Sequence, residues 1–200
     1  MVIYGFTYSL GLLIGGLVVS YLLAWPWGLP FFLLALFCLW FFRDPNREIP
    51  SGNVAVSPAD GKVMAVKMDR NGPTRVTIFL NVFDVHVNRT PIGGVIQEIR
   101  YQPGKFLVAS REEATAQNEQ NFITVNDGKT TVVFSQIAGL IARRIICYKK
   151  PGDRVEKGER IGLIKFGSRM DVFLGPEWTI TVKPGERVSA GSSVIARMQG

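Results

Sequence analysis

The first forty-two residues contain no Asp, Glu, Lys, Arg or His. A soluble domain rarely spends so long an uncharged stretch on its core, so this feature constrains the chain most. Val2 to Ala24 is about 23 residues, roughly 34 Å as helix, enough to cross a hydrocarbon core. Trp25-Pro26-Trp27-Gly28-Leu29-Pro30 then breaks the helix, because proline lacks an N–H and disfavours helix just before itself. Tryptophan prefers the lipid–water interface. A second apolar run, Phe31 to Phe42, is about 12 residues and too short to span upright. No basic n-region and no small-residue cleavage site precedes Trp25, which argues against a signal peptide. The expectation is a membrane hairpin, or a span plus a re-entrant helix, against the alternative of a buried core helix. Arg43 and Arg47 follow at once and place the remainder on the cytoplasmic side of a cell membrane by the positive-inside tendency.

All charged side chains fall in residues 43–200, which alone carry the net charge of +7. A basic domain joined to an apolar segment fits an anionic membrane surface. Nucleic acid is the rival partner for a basic chain. Here the basic residues are scattered and the apolar head favours lipid, so no nucleic-acid partner is expected. Cys38 and Cys147 make neither a disulfide framework nor a metal spacing, and no metal site is expected. A reducing compartment is compatible with them.

Residues 43–200 read as β-type. Short apolar or alternating runs, such as Val63–Val66, Val76–Phe79, Phe122–Val125 and Ile161–Phe166, are separated by turn pairs such as Asp60-Gly61 and Asp127-Gly128. Gln136 to Ile146 reads as a helix or a bent strand, and Leu107 to Gln120 as a loop or short helix. Pro151-Gly152-Asp153-Arg154-Val155-Glu156-Lys157-Gly158 resembles Pro184-Gly185-Glu186-Arg187-Val188-Ser189-Ala190-Gly191, and each is followed by a β run. The repeat is similar to the hairpins of the barrel-sandwich fold of lipoyl and biotinyl carriers, or it is two like turns. The expected fold is mainly β: a barrel-sandwich-like domain over residues 43–200, preceded by a hydrophobic helical hairpin or span over residues 1–42.

Three places carry candidate chemistry. Ser168 follows Gly167, which has no side chain to block attack on its carbonyl. A strained turn there lets the hydroxyl attack that carbonyl, and β-elimination then leaves a pyruvoyl group at a new N-terminus. Such a carbonyl forms a Schiff base with an amine and acts as an electron sink. Taken alone, a Gly-Ser pair at a strand end is a turn. His86 is the one imidazole of the chain and titrates near neutrality, as a general acid or base does; a hydrogen-bonded strand histidine is the plainer reading. Asp60 sits before Gly61, either bonding its own turn or charge-stabilising a histidine.

The order and spacing of several motifs resemble those of the phosphatidylserine decarboxylase family in its short, bacterial or archaeal form. The similarity covers most of residues 41–175. It runs through Phe42-Arg43-Asp44-Pro45, Ser57-Pro58-Ala59-Asp60-Gly61, Asp84-Val85-His86-Val87-Asn88-Arg89-Thr90-Pro91 and Gly104-Lys105-Phe106. It continues through Asn118-Glu119-Gln120-Asn121, Gln136-Ile137-Ala138-Gly139 with Ala142-Arg143-Arg144, and Gly162 through Val172. The resemblance implies a proenzyme that cuts itself between Gly167 and Ser168. A β chain of residues 1–167 would then stay associated with an α chain of residues 168–200 that begins with a covalent pyruvoyl cofactor made from Ser168. Asp60, a histidine and Ser168 would form the processing triad. The substrate would be a membrane phospholipid bearing serine, converted to its ethanolamine counterpart and carbon dioxide, with His86 returning the proton. Arg89, Lys105, Arg143 or Arg144 would hold the phosphate, because cations pair with phosphate oxygens. An archaeal serine lipid presents the same head group, and a homo-oligomer stays open.

One departure stands out. Longer family members carry two histidines three residues apart where this chain has His86 and Arg89, and the second is the one assigned to processing. Either His86 serves both steps or another group assists. The competing reading is a non-enzymatic membrane adaptor or carrier with a lipoyl-like barrel. A carrier needs a lysine at the tip between its repeats, and no convincing Met-Lys pair occurs there.

Overall fold

The computed structural model describes residues 2–68, 72–105, 117–139, 144–165 and 168–199. The chain divides into two compact units, Met1–Asn46 and Arg47–Gly200.

The first unit is a helical hairpin of α1 (Ile3–Leu22) and α2 (Trp25–Phe41). The helix is interrupted only at Leu23 and Ala24. It resumes at Trp25 because Pro26 falls in the first turn, where an N–H would lack an intrahelical partner anyway. Small residues set the helix contact. A Cβ on Gly28 would stand 2.6 Å from the Gly16 carbonyl, so the two backbones approach closely there. Ser9 Oγ donates to the Ala35 carbonyl at 2.9 Å, satisfying its hydroxyl inside the hairpin. The remaining surface is apolar: Ile3, Phe6, Leu17, Leu22, Trp25 and Trp27 are all more than half exposed. Helix α1 is long and apolar enough to cross a membrane; α2 is shorter.

The second unit is β throughout its described residues. Its main sheet contains β2 (Gly61–Met68), β3 (Thr74–Leu80), β5 (Gly94–Gln102), β6 (Gln120–Asn126), β7 (Thr131–Ala138), β9 (Arg154–Val155), β11 (Ser168–Leu174) and β13 (Arg187–Val188). These lie antiparallel in the order β13-β2-β3-β11-β7-β6-β5-β9. Two three-stranded sheets complete the unit: β4 (Val87–Arg89), β10 (Arg160–Ile164) and β8 (Ile145–Cys147); and β1 (Val54–Val56), β14 (Val194–Met198) and β12 (Trp178–Ile180). Residues from all three sheets share one core, including Ala55, Ile78, Phe134, Ile161, Val172 and Ile195, which makes the arrangement sandwich-like. The segment Gln136 to Ile146 is strand at both described ends, in β7 and β8. Within Leu107 to Gln120, residues 107–116 lie outside the described residues.

The internal repeat is structural. Gly152 and Gly185 take φ of +91° and +97°, and Gly158 and Gly191 take +75° and +79°, so the matched glycines occupy the same left-handed conformations. Between them, β9 and β13 close the two ends of the eight-stranded sheet, one against β5 and one against β2. Short terminal strands of this kind protect a sheet from pairing with other chains.

The alternation along the central strands orders the core. On β11, Met170, Val172 and Leu174 are fully buried in it. Arg169 and Asp171 point the other way and form a buried ion pair at 2.7 and 2.8 Å, with Arg169 also donating to Thr77 Oγ1 at 3.2 Å. Ser168 is in phase with Met170, so its side chain belongs to the core face.

Candidate active site

Ser168 opens β11 and sits between Leu80 of β3 and Ala138 of β7. It is fully buried, and its Oγ has no hydrogen-bond partner among the described residues. A buried hydroxyl without a partner costs about 1–3 kcal/mol, so its retention calls for a chemical reason. Gly167, the other half of the expected cleavage site, lies outside the described residues.

His86 is set by the turn before it. Asp84 Oδ2 accepts from Asn81 N–H at 2.9 Å, and Arg187 donates to Asp84 Oδ1, which fixes the turn. His86 Nδ1 then lies 2.9 Å from the Asp84 carbonyl. A carbonyl oxygen only accepts, so Nδ1 carries a proton. The ring is 2% exposed. Downstream, the Ile164 N–H donates to the His86 carbonyl at 3.3 Å, which ties the histidine to the end of β10.

Asp60 lies in the turn before β2. Its turn is fastened to β4 by the Arg89 N–H, which donates to the Pro58 carbonyl at 2.8 Å. Its carboxylate takes two hydrogen bonds from Arg47 Nη2, at 2.8 and 2.9 Å, and one from the Ala190 N–H at 2.8 Å. Asp60 is therefore held by Arg47 and the second repeat rather than by His86.

The expected phosphate-binding cations are dispersed. Arg89 is buried and donates through Nη1 to the Gly158 carbonyl at 2.9 Å, directed at the first repeat. Lys105 is exposed and reaches Gln117 Oε1 at 3.3 Å. Arg144 is exposed, and its carbonyl accepts from the Lys165 N–H at 3.3 Å, close in sequence to Ser168. Arg143 lies outside the described residues. No group of three or more His, Cys, Asp or Glu among the described residues is placed to hold a metal.

Sequence reasoning missed a string of buried amides. Asn121 Nδ2 donates to Gln136 Oε1 at 3.1 Å, and Gln136 Nε2 donates to Asn88 Oδ1 at 2.9 Å. Asn88 and Gln136 are fully buried and Asn121 nearly so. The available signal was phase. Gln136 falls in step with Phe134 and Val132 on β7, and Asn121 with Ile123 and Val125 on β6, so both are polar residues at inward positions of apolar strands.

An enclosed serine, an imidazole bonded through Nδ1 and a string of buried amides make up a candidate enzyme site within a β-sandwich body. The phosphatidylserine decarboxylase family model matches residues 34–196. The chain is 65% identical over 193 residues to a phosphatidylserine decarboxylase proenzyme of Solibacter usitatus, covering 96% of this chain and 94% of that one. It is 42% identical to the proenzyme of Ralstonia pickettii over 201 residues, covering 97% and 94%. It is 41% identical to that of Nitrosomonas europaea over 199 residues, covering 96% and 92%. The chain belongs to the phosphatidylserine decarboxylase family and is a decarboxylase.

Proposed function

We propose that this protein decarboxylates phosphatidylserine to phosphatidylethanolamine, using a pyruvoyl group made from Ser168 by self-cleavage after Gly167. The carrying observation is the Ser168 hydroxyl, fully buried at the start of a central strand and without a partner among the described residues. That environment suits a nucleophile directed at its own backbone. Its oxygen adds to the Gly167 carbonyl and replaces the amide by an ester. Loss of the Ser168 α-proton expels the Gly167 carboxylate, and water then replaces the nitrogen as ammonia, leaving the pyruvoyl carbonyl. When present, that carbonyl supplies amine condensation and an electron sink.

The chain's own groups do the rest. His86, with Nδ1 bonded to the Asp84 carbonyl, uses its other ring nitrogen to move the proton that returns to carbon. Asp60, the acidic member of the expected triad, acts on this reading through its turn and the bond from Arg89 to Pro58. Cleavage leaves the α chain, residues 168–200, in place: β11 is hydrogen-bonded along its length to β3 and β7 of the β chain. Arg144 and Lys105, both exposed, are the described cations best suited to meet a lipid phosphate. The apolar hairpin enters the bilayer, and Arg43 and Arg47 set the enzyme on the cytoplasmic side.

Intact-mass measurement tests this. The purified protein separates into residues 1–167 and a smaller fragment, residues 168–200, with a blocked N-terminus, and Ser168→Ala stays whole and inactive. His86→Ala abolishes turnover. If that variant also stays whole, His86 serves both steps; if it cleaves, another group handles processing. A fully active, uncut chain would end the reading.

A further inference from the structure

We propose that Asn88 is a substrate-binding residue, whose Nδ2 donates to the carboxylate of the amino-acid head group, and that Gln136 and Asn121 hold it in that orientation. The proposal rests on the reading that Ser168 becomes the amine-capturing carbonyl.

Two atoms joined through Gln136 lack partners among the described residues. Ser168 Oγ is one and Asn88 Nδ2 is another. Both residues are fully buried. Gln136 lies opposite Met170 on the β7–β11 ladder, and Ser168 lies opposite Ala138, so Gln136 and Ser168 are diagonal neighbours on the core face. Asn88 is bonded to Gln136 and so stands one amide farther along.

The string runs in one direction: Asn121 Nδ2 donates to Gln136 Oε1, and Gln136 Nε2 donates to Asn88 Oδ1, which leaves Asn88 Nδ2 as the unspent donor. A buried donor held this way costs free energy unless an acceptor arrives.

The acceptor is assigned by chemistry. A serine head group captured through its amine at position 168 carries its carboxylate one carbon from that nitrogen. The two arginines beside Asn88 and Ser168 in sequence are directed elsewhere: Arg169 faces the opposite side of β11 with Asp171, and Arg89 is directed at Gly158. The carboxylate is thus met by a neutral amide. That suits a group that must leave as uncharged carbon dioxide, because a cation would stabilise the ground state more than the transition state.

The test uses the full-length protein with Asn88→Leu and Asn88→Asp. The second keeps the volume and the Oδ1 that accepts from Gln136, and puts an acidic oxygen in place of the amide donor, which repels a carboxylate when ionised and leaves a lipid without one unaffected. Intact mass first records cleavage. The KM for short-chain phosphatidylserine is then measured in detergent. In parallel, the concentration of short-chain phosphatidylethanolamine giving half-maximal capture by cyanoborohydride is read as added mass on the residues 168–200 fragment. The second lipid has the same amine and no carboxylate. The KM for the serine lipid rises about tenfold or more, as for a lost bond to a charged group, while half-capture of the ethanolamine lipid stays within about twofold. A parallel loss for both lipids, or a loss for neither, overturns the proposal. If Asn88→Leu does not mature, Asn88→Asp carries the same comparison. If neither matures while the wild type does, Asn88 belongs to self-cleavage and the proposal is overturned. A wild type that neither cleaves nor captures amine instead overturns the pyruvoyl reading beneath it.

Discussion

Arg187 of β13 donates to the carboxylate of Asp84, the residue whose carbonyl holds His86 Nδ1. The two lie on opposite sides of the Gly167–Ser168 junction in sequence. After cleavage this bond would join the α chain to the turn that orients the imidazole in the β chain. Asp84 is 5% exposed, whereas the Arg187 side chain is 62% exposed, so solvent weakens the pair without freeing the carboxylate.

Arg187→Ala should therefore leave cleavage intact and lower kcat about two- to fivefold, the rate equivalent of an exposed pair's worth. Asp84→Ala should cost more, since it also removes the bond from the Asn81 N–H. Steady-state kinetics on matured protein checks both. Equal KM with reduced kcat is the pattern expected of a misdirected His86.

Arg169 and Asp171 are buried together, 3% and 0% exposed as side chains, on the sheet face away from the core cluster. Removing one partner strands the other charge, at a cost of about 3–5 kcal/mol. Arg169→Leu should thus lower the urea midpoint sharply. Arg169→Leu with Asp171→Leu should recover much of it, because an apolar pair of similar volume leaves no charge uncompensated. Recovery in the double variant separates charge burial from loss of shape.

The Glu159 carboxyl is held below its ordinary value of 4.5. Burial works to raise it, but hydrogen bonds from Lys149 and the Glu156 N–H, with the Lys149 charge, outweigh that. A carboxylate depressed in the folded state contributes stability that is fully present above its unfolded value and is lost as pH falls through the folded one. The melting temperature should fall on acidification below pH 4.5, and Lys149→Ala should flatten that part of the curve. An unchanged acid limb in Lys149→Ala would remove this pair from the account.

A chain beginning at Asp44 should be soluble, should cleave at a rate within about twofold of the full protein, and should turn over a short-chain serine lipid in detergent. The β unit has its own core, while the helices expose apolar surface worth about 25 cal/mol per Å² once covered. The full protein should stay with membranes in high salt, since screening weakens charge attraction and leaves apolar insertion untouched. Failure of the shortened chain to fold would make the helices part of its core.

The sequence by itself determined the features that rest on local chemistry. Forty-two uncharged residues dictate helices with nowhere polar to go, and the paired Pro-Gly motifs mark two matching turns whose glycines take the same left-handed conformations. His86 and the Gly-Ser pair were visible because their residue types suit the proposed acid–base and pyruvoyl chemistry. Tertiary structure alone decided what meets what. Alternation tells which residues share a face, but strand order tells which strands are neighbours. Only the placement of β11 between β3 and β7 brings Ser168 beside Gln136, and only β4 brings Asn88 to that amide. The same ordering gave Asp60 to Arg47 and turned Arg89 toward Gly158, because each side chain pairs with whatever non-local strand or turn the sheet delivers to it.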